Sequence, residues 1–262
     1  MSVQIETERI KTDWNSMAKA YEEFNNSPDS YSFNIEWPCI RNILPALDGK
    51  TIVDLGCGTG IFTFLLEHLN PKSITGIDLS AEMLEIAKEK AAEKSSRAIF
   101  FQCDAQDCAE RIDEAVDFVF SSTTSHYIRD LGALFKNVYG ILKPGGVAVF
   151  SIIHPLYSAL YPIANDGVFP KDEDWGIRYL NRSRRAYVQP WLEYNENYEN
   201  LLSMSYHHTF SDYTNAIIES GLTIEGVYEP EPPDEWERDQ PSRYENYMET
   251  PVYLIFKMKK HL

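Results

Sequence analysis

Acidic residues paired with glycines are the first sign of chemistry in this chain. Asp54, Gly56, Gly58 and Gly60 fall within one short run, Ile52-Val53-Asp54-Leu55-Gly56-Cys57-Gly58-Thr59-Gly60. Glycines at alternate positions let a backbone turn sharply and lie against a ligand where a Cβ would collide. About 20 residues later, Asp78 ends the run Ser73-Ile74-Thr75-Gly76-Ile77-Asp78. An acid at such a strand end can bind both hydroxyls of a ribose. Asp104 closes a third run of the same kind, Ile99-Phe100-Phe101-Gln102-Cys103-Asp104.

The elements that must carry these residues follow from their flanks. Each acid or glycine turn ends an apolar, β-branched or aromatic stretch, as expected for short strands buried in a parallel sheet. Ile61 to Leu69 reads as an apolar helix, so its first amides point at whatever fills the glycine turn. Ser80 is a plausible N-cap, with Met83 and Leu84 in the first turns of the next helix. A fourth strand, Val116 to Phe120, runs into the polar loop Ser121-Ser122-Thr123-Thr124-Ser125-His126-Tyr127. Leu142-Lys143-Pro144-Gly145-Gly146 marks a helix end and turn before a fifth strand that closes at Ile153.

The glycine spacing separates two ligand classes. A dinucleotide fold uses G-x-G-x-x-G, whereas the glycines here fall as G-x-G-x-G behind an acid. The nonapeptide and the four later stations together resemble the class I S-adenosylmethionine-dependent methyltransferases, small-molecule branch, over residues 51–153. That resemblance implies an α/β fold: a doubly wound, mostly parallel seven-stranded sheet with an antiparallel edge strand and an inserted cap. It implies that Asp54, Gly56, Cys57, Gly58, Gly60, Met83 and Ser121 surround S-adenosyl-L-methionine. It assigns the ribose hydroxyls to Asp78 and the adenine face to Leu79. The adenine amino group goes to Asp104 and a ring nitrogen to the Ala105 amide, while Asp107 falls in the next helical turn. The N-terminal stretch from Tyr21 to Tyr31 resembles a lid, with either tyrosine able to close on the methionine carboxylate.

Composition narrows the partners. With 40 acids against 24 Lys and Arg, the chain carries a net charge of −16 and would repel nucleic acid. The one dense basic patch, Arg182, Arg184 and Arg185, reads as a solvated loop face. The fourth-strand motif also lacks the Asn/Asp-Pro-Pro-aromatic signature of amino-methylating DNA and RNA enzymes. No apolar run reaches the roughly 20 residues that span a bilayer, and no secretory signal is visible. Cys39, Cys57, Cys103 and Cys108 form no C-x-x-C pair, which fits reduced thiols in the cytoplasm. The expected partner is a small-molecule methyl acceptor, bound by a monomer or homodimer without nucleic acid, membrane or metal.

Three parts organise the 262 residues. Residues 1–50 form a helical lid segment, with Trp14, Met17, Ala18, Tyr21 and Phe24 at helical spacing, then a turn at 26–30 and a second helix near 33–44. Residues 51–153 and 207–262 form the cofactor-binding domain, with a helix near 211–220 and two closing strands near 222–229 and 251–258. Between them, 154–206 reads as an aromatic-rich cap at the ligand edge, with a possible hairpin from 184–193 and 200–207. Glu229 to Glu235 reads as an acidic, solvent-facing polyproline loop.

Methyl transfer asks mainly for alignment and dryness, with any general base adding about 10²–10⁴-fold. Histidine is the natural base near neutral pH. His154 and His126, at the ends of the fifth and fourth strands, are the catalytic candidates; Tyr31 and His207 are the substrate-facing ones. Two other readings use the same residues: a non-catalytic S-adenosylmethionine-binding regulatory module, and a nicotinamide-dependent oxidoreductase. The aromatic cap weighs against the first, and the glycine spacing with Asp104 against the second.

Overall fold

The structure is a computed structural model that describes residues 3–164, 176–189, 192 and 201–262. The strands in chain order are β1 Thr51–Leu55, β2 Ser73–Asp78, β3 Ile99–Gln102, β4 Val116–Ser122, β5 Leu142–Ile153, β6 Arg185–Tyr187, β7 Ser203–Ser205, β8 Thr223–Tyr228 and β9 Tyr253–Lys259. Seven of them form one sheet in the order β3-β2-β1-β4-β5-β9-β8. The first five are parallel neighbours, and β9 runs antiparallel to both β5 and β8. The antiparallel strand therefore lies one place in from the edge, and β8 is the edge itself. Strand order reverses between β1 and β4, and ligands of doubly wound sheets bind at the carboxyl end of that reversal.

Alternation along the strands feeds two faces. Ile52, Phe118 and Phe120 pack with Ile40, Phe62 and Leu66. Their neighbours Val53 and Val119 pack with Leu134, Phe135, Tyr213 and Ile217. The first set comes from helices α2 Trp37–Ile43 and α3 Ile61–Glu67, and the second from α5 Leu131–Ile141 and α7 Phe210–Glu219. Between these, α4 Ala81–Lys94 starts at Ser80, whose hydroxyl oxygen accepts the Met83 amide at 3.2 Å.

Helix α1, Val3–Asn25, covers the ligand edge and is tied across it. The Ser80 hydroxyl donates to Asn15 Oδ1 at 2.7 Å, and Lys90 of α4 pairs with Glu22 at 2.7 Å. The apolar stripe legible in its sequence is real: Met17 and Ala18 are each 1% exposed. A short π-helical turn, Ser32–Glu36, leads directly into α2, so the second helix begins as a wider coil.

Several details differ from the sequence reading. α6 Pro155–Leu160 follows β5 directly, and β6 pairs with β7 from Arg185↔Ser205 to Tyr187↔Ser203, a core of the expected hairpin. Arg185 is not a solvated cation: it is wholly buried, and its guanidinium donates to the carbonyls of Ser183, Arg178 and Asn181. The acidic proline loop is partly sequestered, with Pro232 buried. It leads into two unforeseen helices, α8 Glu235–Asp239 and α9 Pro241–Glu249. Trp236 of α8 is buried with Ile35, Val252 and Tyr253, and Tyr244 and Tyr247 of α9 pack against the same cluster. Trp175, Trp191, Tyr194 and Tyr198 of the expected cap lie outside the described residues.

α7 opens with a reciprocal cap that offers a clean stability test. Thr209 Oγ1 accepts the Asp212 amide at 3.2 Å while Asp212 Oδ2 accepts the Thr209 amide at 2.8 Å. Arg182 holds the same carboxylate through Nε at 2.8 Å and Nη2 at 2.9 Å. Thr209→Ala removes the hydroxyl cap and should cost about 1 kcal/mol. Scanning calorimetry should register this as a fall in Tm of roughly 2–4 °C; an unchanged Tm would mean that Asp212 and Arg182 hold the helix start unaided.

Candidate active site

The turn after β1 is built on close backbone approach. Gly56 has φ +72°, and a Cβ there would fall 1.9 Å from Thr124 Oγ1 in the loop after β4. Gly58, at φ +53°, has no side-chain neighbour closer than Tyr21, 3.6 Å from where its Cβ would be. The turn is fastened to the end of β2. The Gly56 and Cys57 amides donate to the Ile77 carbonyl at 2.7 and 3.0 Å. The Gly58 amide donates to Asp78 Oδ2 at 2.8 Å, and the Ser80 amide to Oδ1 at 2.8 Å. Burial still holds the Asp78 carboxyl above its ordinary range, against the pull of these amides.

These groups open onto a cleft at the carboxyl edge of the sheet. Gly56, Gly58, Asp78, Leu79 and Met83 form one wall, and Asp104 and Ala105 another. Asp104 is fixed as the cap of the 3₁₀ turn Ala105–Glu110, its Oδ1 accepting the Gln106 amide at 2.9 Å. Tyr21 closes the cleft from α1. Eight of the sequence candidates thus meet in one place. Asp54, Cys57, Gly60 and Ser121 do not line it. Asp54 is 1% exposed and accepts the Thr63 hydroxyl at 2.6 Å, so it braces the turn from beneath. Cys57 packs against Phe64 and Phe100. A Cβ at Gly60 would meet the Phe64 ring at 2.8 Å. Ser121 donates to the Leu55 carbonyl at 2.7 Å and belongs to the sheet. The next residues, Ser122 to Thr124, line the cleft instead, as do Thr7, Ile10 and Trp14 of α1. The α1 stripe signalled that a face of that helix is buried, but not against what.

A second cavity adjoins the first and shares Trp14, Tyr21, Thr123 and Tyr127 with it. Its other walls include Tyr31, His126, Tyr157, Tyr161, Tyr187 and Tyr253. Tyr161 and Tyr187 stack at 3.8 Å with 10° between their planes. The Gln189 amide donates to the Tyr127 hydroxyl at 2.9 Å.

The histidines divide sharply. His126 is 5% exposed, lines the second cavity, and its Nδ1 has no hydrogen-bond partner among the described residues. Burial, aided by His208, holds its pKa down at about 3, so the ring is neutral. His154 lines neither cavity. Its Nδ1 accepts the Leu156 amide at 3.0 Å as the cap of α6, and its Nε2 meets Glu229 Oε1 at 3.0 Å. Pro155 turns the chain into a helix here, and the imidazole is spent on starting it. His207 is also fully engaged, with Nδ1 on the Ser158 hydroxyl at 2.8 Å and Nε2 on the Tyr179 carbonyl at 2.7 Å.

One buried acid had no signal in the sequence. Glu36, on the π-helical turn, is wholly buried, and its Oε1 accepts the Ser122 hydroxyl at 2.5 Å. Burial raises the Glu36 pKa to about 7, against the pull of the Ser151 and Ser32 hydroxyls, which also face this carboxyl. Asp54 is likewise raised to about 7 by burial, with the Asp78 and Glu36 charges adding to it.

Comparison with known proteins agrees with this geometry. A family described as a methyltransferase domain matches residues 52–146. The crystal structure of an S-adenosylmethionine-dependent methyltransferase from Listeria monocytogenes is 30% identical, with TM-score 0.68 over 87% of this chain and 97% of that one. A second such enzyme, from Mesorhizobium loti, is 31% identical, with TM-score 0.66 over 86% and 97% of the two chains. The malonyl-[acyl-carrier protein] O-methyltransferase of Marinomonas is 33% identical over 140 residues, 52% of this chain and 51% of that one. The chain thus spans about half the length of that curated relative. It belongs to the class I S-adenosylmethionine-dependent methyltransferases. It is an enzyme whose cofactor is S-adenosyl-L-methionine.

The buried Glu36 carboxyl carries a pH signature with a definite sign. Its folded pKa, about 7, lies above its ordinary value of 4.5. Its contribution is therefore fully favourable below about pH 4 and is lost as pH rises through 7, by roughly 3 kcal/mol. Glu36→Gln keeps the shape and abolishes the titration. In urea unfolding of the cofactor-free protein, the variant should gain on the parent between pH 5 and pH 8. A difference independent of pH would show that Glu36 is ionised throughout.

Proposed function

We propose that the protein transfers a methyl group to a small-molecule acceptor held in the tyrosine-lined cavity. The observation that carries this reading is the pair of adjoining cavities with shared walls at the switch point of the sheet. A protein that only sensed the cofactor would need no second, aromatic cavity.

When bound, S-adenosylmethionine supplies an electrophilic methyl group on a sulfonium. In this reading Asp78 binds the ribose hydroxyls and Leu79 lies on the adenine. Asp104 and the Ala105 amide meet the adenine edge, and Tyr21 meets the methionine end. Gly56 and Gly58 keep the turn free of side chains on the cleft side. Asp54, Asp78 and Glu36 place three carboxyls near a ligand that carries a sulfonium and an ammonium, whose positive charge favours their ionised forms. The walls exclude water and align the acceptor, which accounts for the larger part of the rate enhancement in such a reaction. His126, neutral and facing the acceptor cavity, orients the acceptor through Nδ1 without acting as a strong base. His154 has no part in the chemistry.

Other features support the same reading. The charge of −16 disfavours nucleic acid as acceptor. All four cysteines are free, which supports a reducing compartment such as the cytoplasm. Among the described residues, no helix is long and apolar enough to cross a membrane.

Asp78→Asn should weaken binding of S-adenosylhomocysteine about 10- to 100-fold by calorimetry, since hydrogen bonds to a charged group contribute roughly 1.5–3 kcal/mol. Asp107→Asn, at an exposed position outside the cleft, should bind as the parent does. Equal affinities would remove Asp78 from the site, and stabilisation by NAD in place of S-adenosylhomocysteine would overturn the cofactor assignment. Once an acceptor is in hand, His154→Asn should turn over near the parent rate, whereas His126→Leu should raise KM and lower kcat together.

A further inference from the structure

The tyrosine-lined cavity has a charge character of its own. Tyr31, Tyr157, Tyr161, Tyr187, Tyr247 and Tyr253 contribute to it, and Trp14, Tyr21 and Tyr127 close the side shared with the cofactor cleft. Among the described residues, no Lys, Arg, Asp or Glu lines it. A buried carboxyl lies behind one wall. Ser32 lines the cavity, and Glu36 lies one turn further along the same helix. Glu36 is close enough to Tyr21 and Tyr253 to raise both of their pKa values, after burial itself. One wall already serves as a cation partner on another side: the Arg243 guanidinium lies 4.9 Å from the centre of the Tyr31 ring.

Two acceptor chemistries fit this cavity poorly. A carboxylate or phosphate taken out of water needs a cation or charged fork to replace its hydration, and none lines the walls. A hydroxyl must lose a proton as it is methylated, and among the described residues that line the cavity the one imidazole, His126, is a weak base. His126 is held near 3 by burial, and burial drives the hydroxyls of Tyr161, Tyr187 and Tyr253 upward. A nitrogen nucleophile needs neither device. A neutral amine gives its lone pair to the methyl carbon, forming the C–N bond. The carbon–sulfur bond breaks with its electrons left on sulfur. One positive charge moves from sulfur to nitrogen, and any N–H proton stays on nitrogen until the product reaches water. Aromatic faces and a nearby carboxylate stabilise the ammonium as it forms.

We propose that the acceptor is an amine, whose methylated ammonium product is held by the tyrosine faces while His126 Nδ1 accepts its N–H. This rests on the reading of that cavity as the acceptor site. The neutral amine is the attacking form, so the acceptor leaves its own proton in water on entry. The residues that select it are Tyr157, Tyr187 and Tyr253, none of which bears a formal charge.

Three probes of nearly one shape separate the alternatives: choline, its uncharged isostere 3,3-dimethylbutan-1-ol, and the anion 3,3-dimethylbutanoate. Each is titrated by calorimetry into the protein saturated with S-adenosylhomocysteine. Choline should bind about tenfold more tightly than the alcohol, and the butanoate should bind weakest. Tyr187→Phe should keep this preference and Tyr187→Leu should abolish it. Tyr157→Phe and Tyr157→Leu repeat the comparison at a half-buried position, in case Tyr187→Leu does not fold. Equal affinity for choline and the alcohol, tighter binding of the butanoate, or no binding of any probe would overturn the proposal. Failure of S-adenosylhomocysteine to bind at the outset would instead strike the cofactor assignment.

Discussion

The site depends on glycine backbone packed against side chains at the end of β1. Gly56 turns where no Cβ fits beneath Thr124, and Gly58 hands its amide to the Asp78 carboxylate. That one carboxylate joins the first and second strand ends and also takes the Ser80 amide that starts α4. A hydrogen bond to a charged group is stronger than a neutral one. Because two loops and a helix start converge on it, displacement of Asp78 would loosen the cleft on three sides at once.

The rest of the edge is arranged around that fixed point. β4 lies beside β1, so the loop after it, Ser122 to Tyr127, falls directly across the turn. α1 then crosses the edge and contributes Trp14 and Tyr21 to both cavities. Its position is set at a distance, by Asn15 on Ser80 and Glu22 on Lys90. The partition between the cleft and the second cavity is therefore made partly of side chains from an element far from the motif in sequence.

Buried acidity is the cost of this arrangement. Asp54 and Glu36 are both driven to about pH 7 by burial, with Asp78 raised beside them. Carboxyls in such surroundings lower the stability of the empty protein at neutral pH. They are well matched to a ligand with positive charge at its reactive end. The site thus resembles many binding sites in which local stability is sacrificed for complementarity.

The strand ends and the glycine turn were legible in the chain itself, and the resemblance to the methyltransferases implied the sheet that joins them. Apolar runs that end in acids or glycines have few other solutions, because period and punctuation are local properties of the chain. The same resemblance grouped Asp78, Leu79, Met83, Asp104 and Ala105, and the folded strand ends bring all five to one cleft. The sequence could not say which histidine faces a cavity. His154 and His126 occupy equivalent strand ends, and only the onset of α6 at Pro155 turns the first into a helix cap. Nor could it separate Arg185 from its solvated neighbours, because three carbonyls that bury a guanidinium are assembled by the fold. α8 and α9 were missed although Pro241, Tyr244 and Tyr247 carry a start signal and a helical spacing, for the acidic proline stretch before them masked it. Glu36 was invisible for the same reason as Arg185. A carboxyl in a helix reads as solvent-facing until Ser122, from a strand end 86 residues away, is packed against it. What tertiary structure alone decided was which polar groups lost their water, and that is set by contacts between distant segments that no local pattern encodes.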